Sequence, residues 1–250
     1  MKEYPPEKIR NVALIGHSGT GKTSLSEAML FAAGAVNRLG RVEDGTTTSD
    51  WDPDEQKRGF SVSLSILPVE WAGHKVNVLD APGYADFMGE VKCGLRAAEL
   101  ALITICGASG VQVGTEFAWQ FADELSLPRA VLINRMDRDN ADFFGALSQL
   151  QGLWGQKCLP VHVPIGSQQA LQGMVDLLTM RAYMGEKGEE QEVPADLMGQ
   201  VEPLREKLIE AAAETDDALI TKYLEGEALT AEELARGVRA GIGGGSIVPV

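Results

Sequence analysis

The sequence contains few of the residues that build disulfides or zinc sites. Its 250 residues include 3 cysteines and 3 histidines, and neither set has the spacing of a disulfide framework or of a metal-binding motif. The cysteines are therefore expected to be reduced thiols in a cytoplasmic protein, and a zinc site is not expected. The polar residues 1–6 likewise predict no signal peptide.

Positive charge and long apolar segments are also scarce. Lysine and arginine number 22 against 36 aspartates and glutamates, which gives a formal net charge of −14. Simple electrostatic attraction to DNA is therefore not expected, and any contact with RNA has to be local or made by another part of the molecule. No apolar run is long enough to cross a bilayer, so a membrane partner is not expected either.

A glycine-rich segment at residues 16–23 fits the phosphate-binding pattern G-x-x-x-x-G-K-[ST]. The apolar residues 12–15 precede it and predict a buried strand. The helix that follows is predicted from one apolar face, spaced i, i+3, i+4 and i+7: Leu25, Ala28, Met29 and Ala32. Gly34 predicts the end of that helix. The segment therefore has the strand–loop–helix context that phosphate binding needs.

Phosphate is expected to be held by the main chain of this loop and by one lysine. Glycines let backbone N–H groups point at phosphate oxygens, and the helix N-terminus adds partial positive charge. Lys22 is predicted to reach the β- and γ-phosphates, and the Thr23 hydroxyl to bind Mg²⁺. The candidate phosphate-contacting residues are Gly16, His17, Ser18, Gly19, Thr20, Gly21, Lys22, Thr23 and Ser24. The pattern alone does not separate GTP from ATP, or a hydrolase from a kinase.

Short apolar runs alternate with helical patterns through about residue 155. Runs at residues 76–79, 100–106 and 130–133 predict buried strands, and an apolar residue recurs every fourth position over residues 87–95. This alternation predicts an α/β fold with a mostly parallel sheet flanked by helices. Residues 37–60 interrupt the pattern, and this polar, turn-rich stretch is expected to be a functional loop.

The pattern changes after about residue 156. A strand is predicted at residues 161–165, on a sheet edge because Pro164 cannot donate a ladder hydrogen bond. A charged hairpin is predicted at residues 185–192 and a helix at residues 197–214. This helix carries a glutamate every fourth residue on one face: Glu202, Glu206, Glu210 and Glu214. Such a face is either simply solvated or able to attract a basic partner.

A second helix is predicted from Thr230, where a capping box begins. The glycines of residues 241–245 predict a flexible break after it. Residues 247–250 are apolar and predict the opening of another strand. Because the chain stops within this run, a larger protein is expected to continue beyond it.

Two further motifs follow predicted strands. Asp80-Ala81-Pro82-Gly83 offers a carboxylate that can hold Mg²⁺ through its water and an N–H at Gly83 that can meet a γ-phosphate; a simple turn is the alternative. Asn134-Arg135-Met136-Asp137 resembles the N-K-x-D guanine signature. Guanine offers two adjacent donors to one carboxylate, and adenine does not, so the Asp137 carboxylate would favour GTP over ATP. The alternatives are a helix N-cap by Asp137 and an ATP-using P-loop enzyme.

Arg58-Gly59-Phe60-Ser61, with Asp50-Trp51 upstream, resembles the first switch of translational GTPases, in which a threonine hydroxyl completes the Mg²⁺ shell. Ser61 keeps that hydroxyl. The chain as a whole resembles the N-terminal GTPase domain of elongation factor G-like proteins. Runs at residues 159–166, 173–177, 206–214 and 222–226 are similar to the insert peculiar to that factor.

The resemblance implies a GTPase domain at residues 1–155, an insert subdomain at residues 156–246 and the start of a sixth GTPase strand at residues 247–250. It implies GTP and GDP as substrate and product, with Mg²⁺ held by Thr23, Ser61 and, through water, Asp80. The implied partner is the ribosome, through its GTPase-activating rRNA region and, for the insert, the stalk protein.

Two departures from the family pattern affect the chemistry. The family has a histidine that orients the attacking water where this sequence has Tyr84, a phenol that stays neutral at pH 7. The family also has an aspartate where the phosphate loop has Gly19. With Lys22, Gly83 and Tyr84 in the catalytic positions, the sequence predicts a slow GTPase and a divergent paralogue. The alternative is a GTP-loaded, ribosome-binding switch with little or no hydrolysis.

Overall fold

The computed structural model describes residues 2–185 and 187–250. They form two compact units. Unit 1 contains the residues up to Cys106 together with Gln112–Asn134, and unit 2 contains Gly107–Val111 together with Arg135–Val250. The domain boundary near residue 155 that the resemblance implies stays a prediction.

Unit 1 is built on a five-stranded sheet in the order β2-β3-β1-β4-β5. Its strands are β1 (Ile9–Gly16), β2 (Ser65–Trp71), β3 (His74–Asp80), β4 (Leu100–Cys106) and β5 (Arg129–Asn134). Strands β3, β1, β4 and β5 run parallel to one another, and β2 pairs with β3 in the antiparallel sense. The predicted apolar runs lie in four of these strands, which confirms the mostly parallel α/β fold of a P-loop GTPase domain.

The helices of unit 1 are α1 (Lys22–Ala32), α2 (Pro53–Arg58), α3 (Met88–Ala97) and α4 (Val113–Glu124). The second halves of the central strands β1 and β4 are buried because both faces of the sheet are covered. Leu14, Ile15, Ile103 and Ile105 are fully buried as a result. Helix α1 ends where Gly34 takes up a left-handed conformation with φ of 70°, as predicted.

The predicted buried face of α1 is partly wrong. Ala28 and Ala32 are exposed, whereas Ser26 and Glu27 are buried. A glutamate is buried here because its carboxylate accepts backbone N–H groups of a neighbouring loop, which compensates for the loss of water.

The polar stretch at residues 37–60 contains a helix that the sequence analysis did not predict. Helix α2 begins with a capping box. The Asp52 side chain accepts the backbone N–H of Glu55, and the Glu55 side chain accepts the backbone N–H of Asp52. It ends at Gly59, which has a left-handed φ of 70°. Pro53 and five polar residues form this helix because its ends are capped, and not because it has an apolar face.

Unit 2 contains helices α5 (Phe143–Trp154), α6 (Met198–Ala213), α7 (Asp217–Leu224) and α8 (Ala231–Gly244). Its strands are β6 (Cys158–Leu159), β7 (His162–Ile165), β8 (Gly173–Asp176), β9 (Arg181–Met184), β10 (Glu189–Glu192) and β11 (Val248–Pro249). Four of them form an antiparallel sheet in the order β10-β9-β8-β7. Strand β11 pairs with β6 in the parallel sense.

Several predictions for this part of the chain are confirmed. Strand β7, which contains Pro164, lies at the edge of its sheet. Helix α6 covers the predicted range almost entirely, and the four glutamates of its stripe are exposed. The charged hairpin exists as β9 and β10, although its first strand precedes residue 185 and residue 186 lies outside the described residues.

The predicted break at residues 241–245 is wrong. Helix α8 continues through Gly244 and ends at the left-handed Gly245. Gly241 is buried in α8. A Cβ at this position would lie 2.6 Å from Cγ1 of Ile247, so a side chain does not fit there. Gly241 therefore allows Ile247, the residue before β11, to approach the helix closely. None of the helices among the described residues has the length and apolarity needed to cross a membrane.

Candidate nucleotide-binding site

The phosphate loop connects β1 to α1 through three glycines in left-handed or strained conformations. Gly16, Gly19 and Gly21 have φ angles of 141°, 77° and 90°, which side chains rarely permit. A Cβ at Gly16 would also overlap the carbonyl oxygen of Thr104 on β4. The pattern of glycines in the motif thus follows from backbone geometry and from the close contact between the loop and the next strand.

Hydroxyl and amide groups brace this loop from two sides. The Thr20 hydroxyl donates to the His17 carbonyl at 3.0 Å and lies 2.8 Å from the Thr104 hydroxyl. The side-chain amide of Asn134, at the end of β5, donates to the Thr20 carbonyl at 2.9 Å. The first residue of the guanine-like motif therefore supports the phosphate loop directly.

Lys22 lies at the first position of α1 with its ammonium group curled back over the loop. Its Nζ donates to the carbonyls of Gly16 and His17 at 3.1 and 3.0 Å. Burial lowers the pKa of Lys22 to about 8, and the nearby Asp80 and Asp50 carboxylates partly oppose that shift. Among the described residues, the hydrogen bonds of this buried ammonium go to backbone carbonyls. It is therefore well suited to bind a polyanion, which would raise its pKa again.

Three polar side chains meet beside this lysine. The hydroxyl of Thr23 lies 3.1 Å from the hydroxyl of Ser61, and Ser61 donates to Asp50 Oδ1 at 2.7 Å. All three side chains are buried. Burial raises the pKa of Asp50, and the hydrogen bond from Ser61 lowers it. The long polar loop thus closes onto the start of α1.

A second buried carboxylate completes this cluster. Asp80, at the end of β3, is fully buried, and its Oδ2 accepts the Ser49 hydroxyl at 2.7 Å. Ser65 in turn donates to the Ser49 carbonyl at 2.8 Å. Burial raises the pKa of Asp80 to about 6, while the Ser49 hydrogen bond and the charge on Lys22 lower it.

The cluster fits a hard divalent cation. Within the described ranges, the buried side-chain oxygens without a hydrogen-bond partner are Asp50 Oδ2 and Asp80 Oδ1. A buried carboxylate oxygen without a partner is costly, and such oxygens together with hydroxyls are the ligands or water acceptors that Mg²⁺ prefers. Thr23, Ser61, Asp50 and Asp80 are therefore the residues that could hold Mg²⁺.

The segment after Asp80 passes very close to the phosphate loop. A Cβ at Gly83 would lie 2.6 Å from Lys22 Nζ and 2.7 Å from both Cα and N of Ser18. Gly83 therefore has no space for a side chain. Gly83 thus lies against both Lys22 and the backbone of Ser18. A terminal phosphate bound by these two groups would also lie near the Gly83 N–H.

Tyr84 follows with its side chain 42% exposed. Its ring centroid lies 4.5 Å from that of Phe60, and Phe60 in turn lies 6.5 Å from Phe87. The phenol is thus held by aromatic packing against the residue that precedes Ser61. This contact couples the predicted catalytic position to the polar loop.

The remaining residues of the guanine-like motif belong to unit 2. Arg135 has a left-handed φ of 58°, and Met136 is buried with its carbonyl accepting the Gln168 N–H at 2.8 Å. Asp137 is exposed. The turn therefore anchors Met136 and leaves the carboxylate of Asp137 accessible to a ligand.

Residues 7–235 match the family model described as Elongation factor Tu GTP binding domain. The chain belongs to this family. It is also similar to the crystal structure of ttk003000868 from Thermus thermophilus, with 42% sequence identity and a TM-score of 0.91. That match covers 97% of this chain and 37% of the Thermus chain, so the present chain spans about 37% of that protein's length.

The chain is a GTP-binding domain of the translational GTPase type. The candidate site described above includes residues that the sequence analysis missed. Ser49 was not singled out, and Asp50 was quoted only for its resemblance to the first switch. Glu27 and Glu55 were not named either, yet they are 1% and 2% exposed. The capping-box spacing of Asp52 and Glu55 was a usable signal, whereas the burial of Glu27 had none because charged residues usually lie at the surface.

Proposed function

We propose that this translational GTPase domain hydrolyses GTP to GDP and phosphate with Mg²⁺ and acts in the cytoplasm, on the ribosome, as part of an elongation factor G-like factor. The single observation that carries the proposal is the buried cluster in which Thr23 contacts Ser61 and Ser61 contacts Asp50, beside Lys22. It joins the phosphate loop to the loop predicted to be the first switch.

The residues of unit 1 divide the work on the phosphates. Backbone N–H groups of the phosphate loop and the Lys22 ammonium bind and orient the β- and γ-phosphates. Thr23 and Ser61 would hold Mg²⁺ directly and Asp80 through water, with Asp50 fixing the Ser61 hydroxyl. Magnesium, when bound, neutralises charge on the phosphate oxygens. Gly83 lets its backbone N–H approach the terminal phosphate because it has no side chain.

Tyr84 is proposed to occupy the position from which the attacking water is oriented. Its hydroxyl can exchange a hydrogen bond with water, but a phenol cannot provide a positive charge beside the γ-phosphate. The packing of its ring on Phe60 also restricts the positions that the hydroxyl can reach. Slow hydrolysis is the expected consequence, and we propose on this basis a divergent paralogue.

Guanine is proposed to be selected by Asp137. Its carboxylate can accept both N1–H and the exocyclic amine of guanine, and adenine offers no such pair of donors. The Asp137 side chain is exposed and therefore free to accept them. Arg135 provides a flat guanidinium for stacking on the base.

A GTP-loaded switch with little hydrolysis is the second candidate function. The contact between Tyr84 and Phe60 favours it, because a phenol held by aromatic packing serves as well to cover the site as to orient water. Phosphate release separates the two functions.

The deciding experiment measures nucleotide binding and turnover with the full-length protein. GTP should displace a labelled GDP probe, whereas a large excess of ATP should not, and phosphate release should rise when ribosomes are added. Selective GTP binding without ribosome-stimulated phosphate release would support the switch. Equal competition by ATP would contradict guanine binding altogether.

The acidic stripe on α6 is proposed to face a basic ribosomal partner, and the resemblance implies the stalk protein. Glu202 and Glu210 are suitable positions because both are exposed, whereas Glu206 also accepts the Tyr223 hydroxyl at 3.1 Å. Reversal of both to lysine should slow ribosome association at low salt and leave GTP binding unchanged. The matched control reverses the exposed Glu225 and Glu227; equal effects of the two double variants would contradict a role of the stripe.

A further inference from the structure

Glu27 is a buried glutamate whose carboxylate joins α1 to the long polar loop. It is 1% exposed, and its two oxygens accept different backbone N–H groups. Oε2 accepts the N–H of Gly40 at 3.3 Å, and Oε1 accepts the N–H of Thr48. One side chain thus fixes two points of the loop that lie eight positions apart in the sequence.

The position of Glu27 on the helix links it to the nucleotide site. Thr23 and Glu27 are four residues apart on α1 and therefore lie on one face. Thr23 contacts Ser61 at the far end of the loop, and Glu27 binds the near end. Helix α1 consequently presents one contact for the cation site and one for the loop, a single turn apart.

The Thr48 N–H lies immediately before the residues that complete the buried cluster. Ser49 donates to Asp80, and Asp50 accepts from Ser61. Because neighbouring Cα atoms lie about 3.8 Å apart, a fixed Thr48 restricts where the Ser49 and Asp50 side chains can lie. Glu27 is therefore linked to the candidate cation site through the backbone of the loop.

The loop also has no room for a different arrangement at Gly40. Gly40 is buried, and a Cβ there would lie 2.8 Å from Glu27 Oε2 and overlap the Thr46 carbonyl oxygen. The backbone is thus pressed directly against the carboxylate. Gly40 offers a way to disturb the same contact from the loop side, without any change in α1.

Two further glutamates hold the segment that follows the loop in the same manner. Glu55 Oε1 accepts the N–H groups of Val62 and Ser63 at 2.8 and 3.0 Å. Glu90, on α3, accepts the N–H of Leu64 at 2.9 Å. Of the three, Glu27 is the one on the helix that also carries Lys22 and Thr23.

We propose that Glu27 is a positioning residue that couples the polar loop to the magnesium-dependent part of GTP binding. The inference rests on the proposed function, because it concerns the magnesium site assigned there. Glu27 stabilises the closed conformation of the loop, in which Ser49, Asp50 and Ser61 lie at the cation site. Without this carboxylate the phosphate loop still binds nucleotide, but the loop no longer stabilises the magnesium complex.

The test compares GTP affinity in magnesium with GTP affinity in EDTA, and uses the full-length protein. In Glu27→Gln one of the two acceptors becomes an NH₂ donor, which faces a backbone N–H and cannot bind it. The ratio of the two affinities should fall by about tenfold, the effect of one lost charge-assisted hydrogen bond, while the affinity in EDTA stays within about twofold of the parent. A merely structural residue would change both affinities together or neither.

Limited trypsin digestion provides a readout that needs no nucleotide. Arg41 is exposed and directly follows Gly40, so cleavage there requires the Glu27 contact to open. Cleavage after Arg41 should be about tenfold faster in Glu27→Gln than in the parent, because the open population rises as the contact weakens. If the parent binds no GTP, the proposed function fails, whereas digestion still tests the contact.

Two variants protect this test from misinterpretation. Gly40→Ala should reproduce both effects from the loop side, and it decides the matter if Glu27→Gln does not fold. Glu99→Gln is the matched control, because Glu99 accepts the Asn11 N–H at 3.2 Å away from the polar loop. Parent-like affinity ratios and digestion rates in Glu27→Gln or Gly40→Ala would overturn the proposal, as would equal effects in Glu99→Gln.

Discussion

The hydroxyl of Ser61 donates a hydrogen bond of 2.7 Å to Asp50 Oδ1. This bond closes the polar loop on itself at the place where Ser61 also meets Thr23. Its geometry depends on the hydroxyl and not on the methyl group that a threonine would add. A serine at position 61 is therefore sufficient for this contact with Asp50.

Replacement of Ser61 by alanine should weaken the site and the fold together. Asp50 Oδ1 would lose its donor beside an Oδ2 that already has none, and a buried acceptor left unpaired costs about 1–3 kcal/mol. The pKa of Asp50 should rise further, because the hydrogen bond that lowers it is removed. Chemical denaturation without nucleotide checks the stability loss, and GTP affinity in magnesium checks the site.

Ser61→Thr is the companion variant because it keeps the hydroxyl. It should retain parent-like magnesium-dependent GTP binding, within about twofold, since the added methyl changes no hydrogen bond. An alanine variant that matches the threonine variant in both measurements would show that the hydroxyl has no role in the site.

Asp80 should make the stability of the nucleotide-free protein depend on pH. Burial raises the pKa of Asp80 from 3.8 to about 6, so the folded chain binds this proton more tightly than the unfolded chain. Its contribution to the free energy of unfolding therefore falls as pH rises from about 4 to about 6 and stays low above that. Binding of Mg²⁺, which needs the carboxylate, should strengthen across the same window.

Asp80→Asn provides the measurement. Asparagine keeps an acceptor for Ser49 but carries no charge, so without nucleotide it should stabilise the fold at pH 7 by on the order of 2 kcal/mol. The difference from the parent should disappear near pH 4, and magnesium-dependent GTP binding should be lost. A variant less stable than the parent at pH 7 would contradict the raised pKa.

Gly83 should tolerate no side chain. A Cβ there would lie 2.6 Å from Lys22 Nζ and 2.7 Å from the Ser18 backbone, so Gly83→Ala must displace the lysine, the phosphate loop or itself. GTP affinity should fall at least about tenfold, which corresponds to the loss of one charge-assisted contact. Isothermal titration with GTP measures it.

The matched control is Gly89→Ala in α3, where an added Cβ meets nothing within 4 Å. This variant should bind GTP like the parent and be neutral or slightly more stable, since alanine favours the helix by up to about 1 kcal/mol. Equal affinity of the two alanine variants would show that the close approach at Gly83 has no consequence for the site.

Most of the sheet of unit 1 could be predicted from the sequence because buried parallel strands are uninterrupted apolar runs. Strand β2 was missed because Pro68 lies within it and because polarity does not follow burial there: Ser65 is buried, whereas Ile66 and Trp71 are exposed. Helix α2 was missed because it is short and polar and depends on its caps. Periodicity of apolar residues detects neither case.

The candidate site divides in the same way. Lys22, Thr23, Asp80 and Gly83 belong to motifs of fixed spacing and could be named in advance. Glu27 could not, because its role depends on where the main chain of a loop 13 to 21 residues away in sequence comes to lie. A buried carboxylate that accepts backbone N–H groups produces no periodic pattern in the sequence. Because glutamates usually lie at the surface, residue type alone predicts that Glu27 is exposed.

Asp137 should determine selectivity for guanine. Asp137→Asn replaces an acceptor pair by one acceptor and one donor, which should weaken GTP binding by about 2–4 kcal/mol as for a charged hydrogen-bonded pair. Xanthosine triphosphate, whose ring offers an acceptor at that place, should bind better than to the parent. Competition of the three nucleotides, including ATP, against labelled GDP measures the change.

Asp139→Asn serves as the control, because Asp139 is also exposed and lies two residues further along the same turn. It should leave the preference unchanged. Parent-like GTP affinity in Asp137→Asn, or an equal loss in Asp139→Asn, would assign base recognition elsewhere.

Tyr84 should limit the rate of hydrolysis without affecting nucleotide binding. Preorganised groups at charged reaction centres contribute about 10²–10³ in rate, equivalent to 2.7–4 kcal/mol, and a neutral phenol packed on Phe60 supplies little of this. Tyr84→His should therefore raise ribosome-stimulated phosphate release, with GTP affinity within about twofold of the parent.

Tyr84→Phe keeps the aromatic contact and loses the hydroxyl, so it separates chemistry from packing. If the hydroxyl orients water, phosphate release should be slower in this variant; if the ring only covers the site, release should not change. A parent protein that already releases phosphate on ribosomes as fast as Tyr84→His would contradict the assignment, and the packing against Phe60 would then be the sole role of this residue.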